Sequence, residues 1–285
     1  MNRRSLMDRR ALFSTATAAA LLAATGVSAA GRPKRGGRLR MALSGAARSD
    51  SWAAGEGLFM QVARQGMVFD TLTEVAADGT LRGELATGWT ASPDARTWRF
   101  DLREGVTFHD GAPFTAADVL ASAAGFTDGS VEATGPHQVV FHLHDPDPRL
   151  PMRLAEPAFY ISPAHAMGEG IGTGLYRLRA FTPGQRLLTE RVARHYKDGS
   201  SGWFDEVELT SIPAEAVRGQ AIAEYLVDAV DVSRADTLAG LPDIALQPNR
   251  RHPAQAVSSH VAQPAQVSFL RPLDNLRAAE RWWFA

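Results

Sequence analysis

The 285-residue chain contains no cysteine, which excludes disulfides, thiolate catalysis and cysteine metal sites. Lysine is nearly absent. It stands at Lys34 and Lys197, and every other basic residue is arginine, a bias read as compositional rather than functional. No sign of charge dominates: 30 Lys+Arg against 31 Asp+Glu leave a net charge of -1, so the chain lacks the basic footprint of a nucleic-acid binder. Beyond the N-terminus no segment is apolar enough to cross a bilayer. Neither a G-x-S-x-G elbow nor an H-E-x-x-H helix occurs, so the usual serine-hydrolase and zinc-protease constellations are missing. What remains is 45% hydrophobic and 21% charged, with Phe, Trp, Leu and Val spread throughout. That is the composition of a folded chain, one large domain or two smaller ones, not of a disordered tail.

Residues 1–30, "MNRRSLMDRRALFSTATAAALLAATGVSAA", combine a basic front, an Ala-rich apolar run over 11–24 and a small-residue end. This pattern predicts a cleaved export signal. Arg9-Arg10 before Ala11-Leu12-Phe13 resembles a twin-arginine leader, with the ordinary secretory route as the alternative. A single membrane anchor is disfavoured because the run is shorter than the ~20 residues a span requires. Cleavage is expected after Ala29 or Ala30. Removing the leader takes away four arginines and one aspartate, leaving a mildly acidic chain.

Along the rest, period-two alternation marks strands. Leu39, Met41 and Leu43 oppose Arg38, Arg40 and Ala42 over 38–43. Trp98, Phe100 and Leu102 oppose Arg99, Asp101 and Arg103 over 97–103. Further strands are expected from Val131, over "QVVFHLH" (138–144) after a turn at Gly135-Pro136, on both sides of Pro183-Gly184, and over 204–213. A helix is expected over about 57–65, and 67–75 is ambiguous between helix and strand. Asp110-Gly111 is a turn dipeptide. Thr115 with Asp118 three residues on makes a near capping box, so a helix starts at 115. Residues 214–232 read as a helix burying Val217, Ala221, Tyr225 and Leu226, then a short strand into Val232. Residues 233–270 show little periodicity, and 275–284 read as a short amphipathic helix or extended tail.

Several motifs could carry chemistry. His142 and His144 share a strand face, a legal geometry for a metal, but no third ligand stands at motif spacing. "GEGIGTG" (168–174) looks like a phosphate cradle, yet a strand follows it where a cradle would open a helix; a flexible turn is the simpler reading. Trp282-Trp283 could be a stacking platform, and more simply anchors a C-terminal tail on a core.

Residues 85–119, "LATGWTASPDARTWRFDLREGVTFHDGAPFTAADV", resemble the extracellular solute-binding proteins, family 5, of peptide and nickel ABC importers. The resemblance is carried by Leu85-Ala86, Trp89, Ser92-Pro93-Asp94, Trp98-Arg99-Phe100, Leu102-Arg103, Gly105-Val106, Phe108-His109-Asp110-Gly111, Thr115-Ala116 and Asp118-Val119. It continues in "GTGLYRLRAFTPGQ" from 172, with Leu175 where Pro is usual, in "FDEVELTSIP" (204–213), in "YLVDAVDV" (225–232) and in "GGRLRMALSG" (36–45). It implies an α/β fold, one lobe of a class-C periplasmic binding protein. A mixed sheet is expected from 38–43, 172–180, 204–212 and a returning C-terminal piece, with a β-rich subdomain over about 68–165. The expected organisation is a leader over 1–30, a first lobe over 31–232, and a short segment over 233–285 in place of most of a second lobe.

The function implied is non-enzymatic: a monomeric periplasmic component that binds a peptide or similar small solute and hands it to an ABC permease in the inner membrane, with no cofactor and no nucleic acid. The candidate ligand-binding residues are Ser44, Trp52 and Glu56 after the first strand, and Tyr176 beside the Gly-rich turn. Each also has a packing or turn role available. Two alternatives stay open: a non-transporting interaction or sensory protein, and metal capture through His142, His144 and His109.

Overall fold

The computed structural model describes residues 33–76, 79–233, 238–247, 254–262 and 282–284. The expected leader over 1–30 and most of the expected C-terminal helix or tail lie outside the described residues. In chain order the strands and helices are β1 (Arg38–Leu43), α1 (Leu58–Arg64), β2 (Thr73–Val75), β3 (Leu81–Gly83), β4 (Ala86–Ala91), β5 (Thr97–Leu102), α2 (Ala116–Ser122), β6 (Gly129–Gly135), β7 (Gln138–Leu143) and α3 (Leu150–Arg153). They continue with β8 (Tyr176–Thr182), β9 (Arg186–Arg191), β10 (Glu206–Ser211), α4 (Glu215–Ala223), β11 (Ala229–Val232), β12 (Ile244–Gln247), β13 (Ala254–Ser258), β14 (Val261–Ala262) and β15 (Trp283–Phe284).

Seven strands form one mixed sheet in the order β12-β13-β11-β1-β10-β9-β8. β1 lies at its centre, parallel to β10 and to β11, with Met41 facing Leu209 on one side and Ala229 on the other. The alternation in β1 explains the layering. Leu39, Met41 and Leu43 are fully buried with Phe59, Met60, Val62 and Ala63 of α1. On the opposite face Ala42 packs with Ala221 and Ile222 of α4 and with Val230 and Ala256. Where α4 does not reach, that face is paired charge: Arg38 to Glu206 and Glu208, Arg186 to Glu208, Arg177 and Arg179 to Glu190. The arginines of these pairs are exposed and the acids only partly so; surface pairs of this kind contribute little stability each, and they keep half a sheet face wettable.

The chain leaves this sheet after α1 and returns at β8. Between them lies a four-stranded antiparallel sheet, β4-β5-β7-β6. Trp98, Phe100 and Leu102 of β5 face Val139, Phe141 and Leu143 of β7 within a second core. Phe100 and Phe141 meet edge to face at 5.5 Å, the arrangement favoured by ring quadrupoles. Phe108, Phe114 and Val119 close the same core. The capping box that opens α2 is complete: the Thr115 amide donates to Asp118 Oδ2 at 2.8 Å, and Asp118 Oδ1 also accepts the Ala164 amide at 2.9 Å. Thr115→Ala is expected to lower unfolding free energy by about 1 kcal/mol. Urea denaturation checks this, and a midpoint unchanged within error would refute the cap's role.

Three readings change and one ambiguity is resolved. Residues 67–75 are a turn and the short strand β2, the Val68 and Phe69 amides donating back to the Ala63 and Arg64 carbonyls at 3.2 and 2.9 Å. α4 ends at Ala223, and the following Tyr225 takes φ +58°, so Val217, Tyr225 and Leu226 are half or more exposed. The buried side is instead Arg218, Ala221 and Ile222, because Arg218 is drawn inward by polar partners described below. The weakly periodic 233–270 region contains β12 and β13: the burial of β13 comes from its place between β11 and β12, Ala256 facing Val230, not from a local pattern. In the Gly-rich turn at 168–174, residues 170–174 are tightly packed rather than loose. A Cβ on Gly174 would lie 2.3 Å from the Met67 carbonyl oxygen, so only glycine allows the two backbones to approach.

Candidate functional site

In open α/β sheets ligands bind beyond the carboxyl ends of parallel strands. Here those ends are Ser44 after β1, Ile212-Pro213 after β10 and Ser233 after β11. One buried pin ties the three together. Asp231 accepts from the Ser44 amide at 2.8 Å and the Ser44 hydroxyl at 2.6 Å. Arg218 Nη2 donates to Asp231 at 3.2 Å, and the same guanidinium donates to the carbonyls of Ile212, Pro213 and Asp231 at 2.7, 2.9 and 2.9 Å. A buried ion pair is tolerable only when its remaining donors and acceptors are satisfied, and the strand-end carbonyls do this for Arg218.

The loop from 45 to 57 rises from this pin. Arg64 of α1 holds it from beneath, donating to the carbonyls of Ser51, Trp52 and Gly55 at 2.9, 3.1 and 2.6 Å and to that of Ala54. The Tyr160 hydroxyl adds a 2.6 Å bond to the Trp52 carbonyl. The Trp52 ring lies 5.1 Å from Phe181 and 5.7 Å from Phe69. Of the four expected ligand residues, Glu56 is exposed, Ser44 is half-buried on Asp231, and Trp52 is buried at 5% exposure. Tyr176 is fully buried, its hydroxyl donating to the Phe204 carbonyl at 3.0 Å. Burial pushes its phenol well above the usual range. It is a core residue and cannot meet a solute.

A cavity of about 650 Å³ lies between α4 and the end of β11, lined by Glu215, Gly219, Gln220, Ser233, Leu238 and Leu241. Glu215 accepts from the Ser233 amide at 3.0 Å and from its hydroxyl. Sequence reasoning missed this place; its one local sign is an acidic residue in a first helical turn after a proline-ended strand.

Sequence reasoning also missed a buried charge cluster where the two sheets meet. Lys197 Nζ lies 3.0 Å from Glu74 and 2.5 Å from Glu84, and Glu84 also accepts from the Thr71 amide and hydroxyl at 2.7 Å. Asp70 accepts from the Thr173 hydroxyl at 2.9 Å and lies 3.5 Å from the His195 ring. Burial pushes the Asp70 carboxyl up, but the His195 ring, the Lys197 ammonium and the Thr173 hydroxyl hold it below the ordinary carboxylate range. The signal existed: Lys197 is one of two lysines in an arginine-rich chain, and a compact ammonium fits between two carboxylates where a guanidinium fork would not.

The histidines named for metal do not converge. His142 pairs with Glu132 at 3.1 Å, and His109 is engaged with the Gly172–Gly174 backbone. Among the described residues no three His, Asp or Glu side chains come together around one ion. Trp282 is fully buried, as an anchor should be.

The model of bacterial extracellular solute-binding proteins, family 5, matches residues 80–270. The chain belongs to this family. It is 27% identical over 246 residues to the probable D,D-dipeptide-binding periplasmic protein of Escherichia coli, covering 75% of this chain and 46% of that one. It is 33% identical over 167 residues to the HTH-type transcriptional regulator SgrR of Salmonella choleraesuis, covering 53% of this chain and 29% of that protein. Among solved structures, the binding protein AgaA in complex with agropinic acid, from A. tumefaciens R10, superposes with a TM-score of 0.68 at 26% identity, over 75% of this chain and 48% of that one. The family-5 chain thus has the α/β periplasmic-binding-protein fold, with a mixed sheet, that its motifs implied. It spans about half the length of the first relative and of this solved structure.

Proposed function

We propose that this chain supplies the solute-recognition face of a periplasmic binding component of an ABC importer for peptides or similar small solutes. The observation that carries the reading is the 45–57 loop: placed beyond β1, fastened by Arg64 from beneath and by the Asp231 pin at its root, it presents Glu56 to solvent on a rigid support. Rigid supports lower the ordering cost of binding. The Trp52 edge supplies an apolar backing and Glu56 a carboxylate for a cationic end of the solute. The dipeptide named for one relative suits such a face. Export by residues 1–30 and delivery to an inner-membrane permease belong to the same proposal.

Titration with a panel of di- to pentapeptides tests it. A ligand at about one hundred times its Kd stabilises by about 2.7 kcal/mol, a rise of roughly 5 °C or more in Tm for a chain of this size. Glu56→Gln should reduce the shift for free-amine peptides and leave that for N-acetylated ones unchanged. A panel that moves neither Tm nor calorimetric heat would overturn the proposal. The similarity to a transcriptional regulator favours a second reading, a sensory protein that binds solute without transport. Peptide binding without association to a permease would select it.

A further inference from the structure

Residues 172–174 are where the seven-stranded sheet and the four-stranded sheet are stitched together. The Gly174 amide donates to the Val68 carbonyl at 3.0 Å, and the His109 amide to the Gly172 carbonyl at 2.9 Å. Two histidine rings close over the same three residues. His109 Nε2 lies 2.8 Å from the Gly174 carbonyl oxygen, and its Nδ1 receives the Gly172 amide at 3.4 Å. His195 Nε2 lies 2.9 Å from the Thr173 carbonyl oxygen, and its Nδ1 receives the Lys197 amide at 3.1 Å. A carbonyl can only accept and an amide can only donate. The His109 ring therefore carries its proton on Nε2 and keeps a lone pair on Nδ1, which only the neutral imidazole does.

A second proton on His109 would land on Nδ1 and face the Gly172 N–H, donor against donor. Charged and titratable groups reach this ring from three directions: Asp70 before β2, His195 from the 192–199 loop, and Arg177 on β8. Asp70 attracts the proton, but it already accepts from Thr173 and sits beside His195; His195 and Arg177 repel it. Burial is the largest influence and pulls His109 below the ordinary histidine range, with the Gly174 carbonyl and Asp70 opposing in part. On the far side of the same loop, Asp110 pairs with the more exposed His165 at 2.7 Å.

We propose that His109 is an acid-operated clip: neutral, it fastens the 105–119 loop and α2 to the 172–174 crossing, and protonated, it releases them, freeing the four-stranded sheet to shift against the seven-stranded one. The sign follows from linkage. A histidine that titrates lower when closed favours closure fully above about pH 6.5, and that contribution is lost as pH falls from there through the closed-state value. One proton taken up on opening raises the open fraction by up to about tenfold per pH unit. The window between pH 7.5 and 5 lies above the ordinary Asp and Glu values, so carboxylates contribute little to it.

Hydrogen exchange on the full chain over that window, corrected for intrinsic rates, tests the clip. Exchange over 105–119 and 168–177 should rise by up to about tenfold per pH unit below about 6.5, while β1 and β10 stay unchanged. His109→Gln keeps a donor for the Gly174 carbonyl but does not titrate, so its profile should be flat. His165→Gln should leave the wild-type profile in place. The proposal falls if His109→Gln retains the wild-type pH dependence, or if His165→Gln abolishes it. Should the His109 variant fail to fold, NMR titration of the wild-type ring decides: protonation without loss of the Gly172 amide bond overturns the clip.

Discussion

Ending the chain after Ser233 is expected to abolish cooperative folding. β11 would lose its antiparallel partner, the four register pairs from Ala229–Val257 to Val232–Ala254, and with it β12. The core over both faces of the large sheet would lose Ala256, Val257, Val261 and Trp282, all buried at 4% exposure or less. Trp282 is fully buried, and a buried tryptophan cut to alanine costs about 3–5 kcal/mol. Whole domains are stable by only about 5–15 kcal/mol, so the combined loss exceeds what a domain can bear. Near-UV circular dichroism and a thermal melt of the shortened chain provide the check. A sharp transition within a few degrees of the full chain would show that residues 33–233 fold autonomously. Trp282→Ala in the full chain should fold with a melting point lowered in proportion to its smaller loss.

Lys197→Met should destabilise by about 3–5 kcal/mol, the cost of leaving buried charge without its counter-ion. The two acids are not equally affected. Glu74 retains Arg82 at 2.6 Å, whereas Glu84 loses the ammonium at 2.5 Å and keeps the Thr71 amide and hydroxyl. Adding Glu84→Gln to Lys197→Met should therefore recover part of the loss, and adding Glu74→Gln should recover less. Urea midpoints with an unchanged slope measure this. A loss below about 1 kcal/mol for the single variant would place Lys197 among exposed pairs. Because Glu74 and Glu84 flank the entry to the four-stranded sheet and Lys197 lies after the large sheet's hairpin, the same triad governs how firmly the two sheets are joined.

The strands that carry strict alternation, β1 and β5, were legible because a half-buried strand must separate its apolar and polar residues by face. The capping box at Thr115 was legible because its geometry is local. The helix after β10 was legible in place but not in orientation. Val217 and Leu226 are exposed and Arg218 is buried, since Asp231, thirteen residues on, outbids the apolar side chains for the inward position. Tyr176 looked like a binding residue beside a glycine turn, and its neighbours across the sheet enclose it.

By itself the sequence determined the family, the strand and turn framework from 85 to 119, and the absence of thiol chemistry, because these rest on local patterns and on residue types. The tertiary structure alone decided where charge is buried. Lys197 meets acids more than a hundred positions away, and Asp231 meets Ser44 across 187. Such pairs exist only once distant strands are brought side by side, and the cost of burying a charge is set by those partners rather than by its neighbours in the chain.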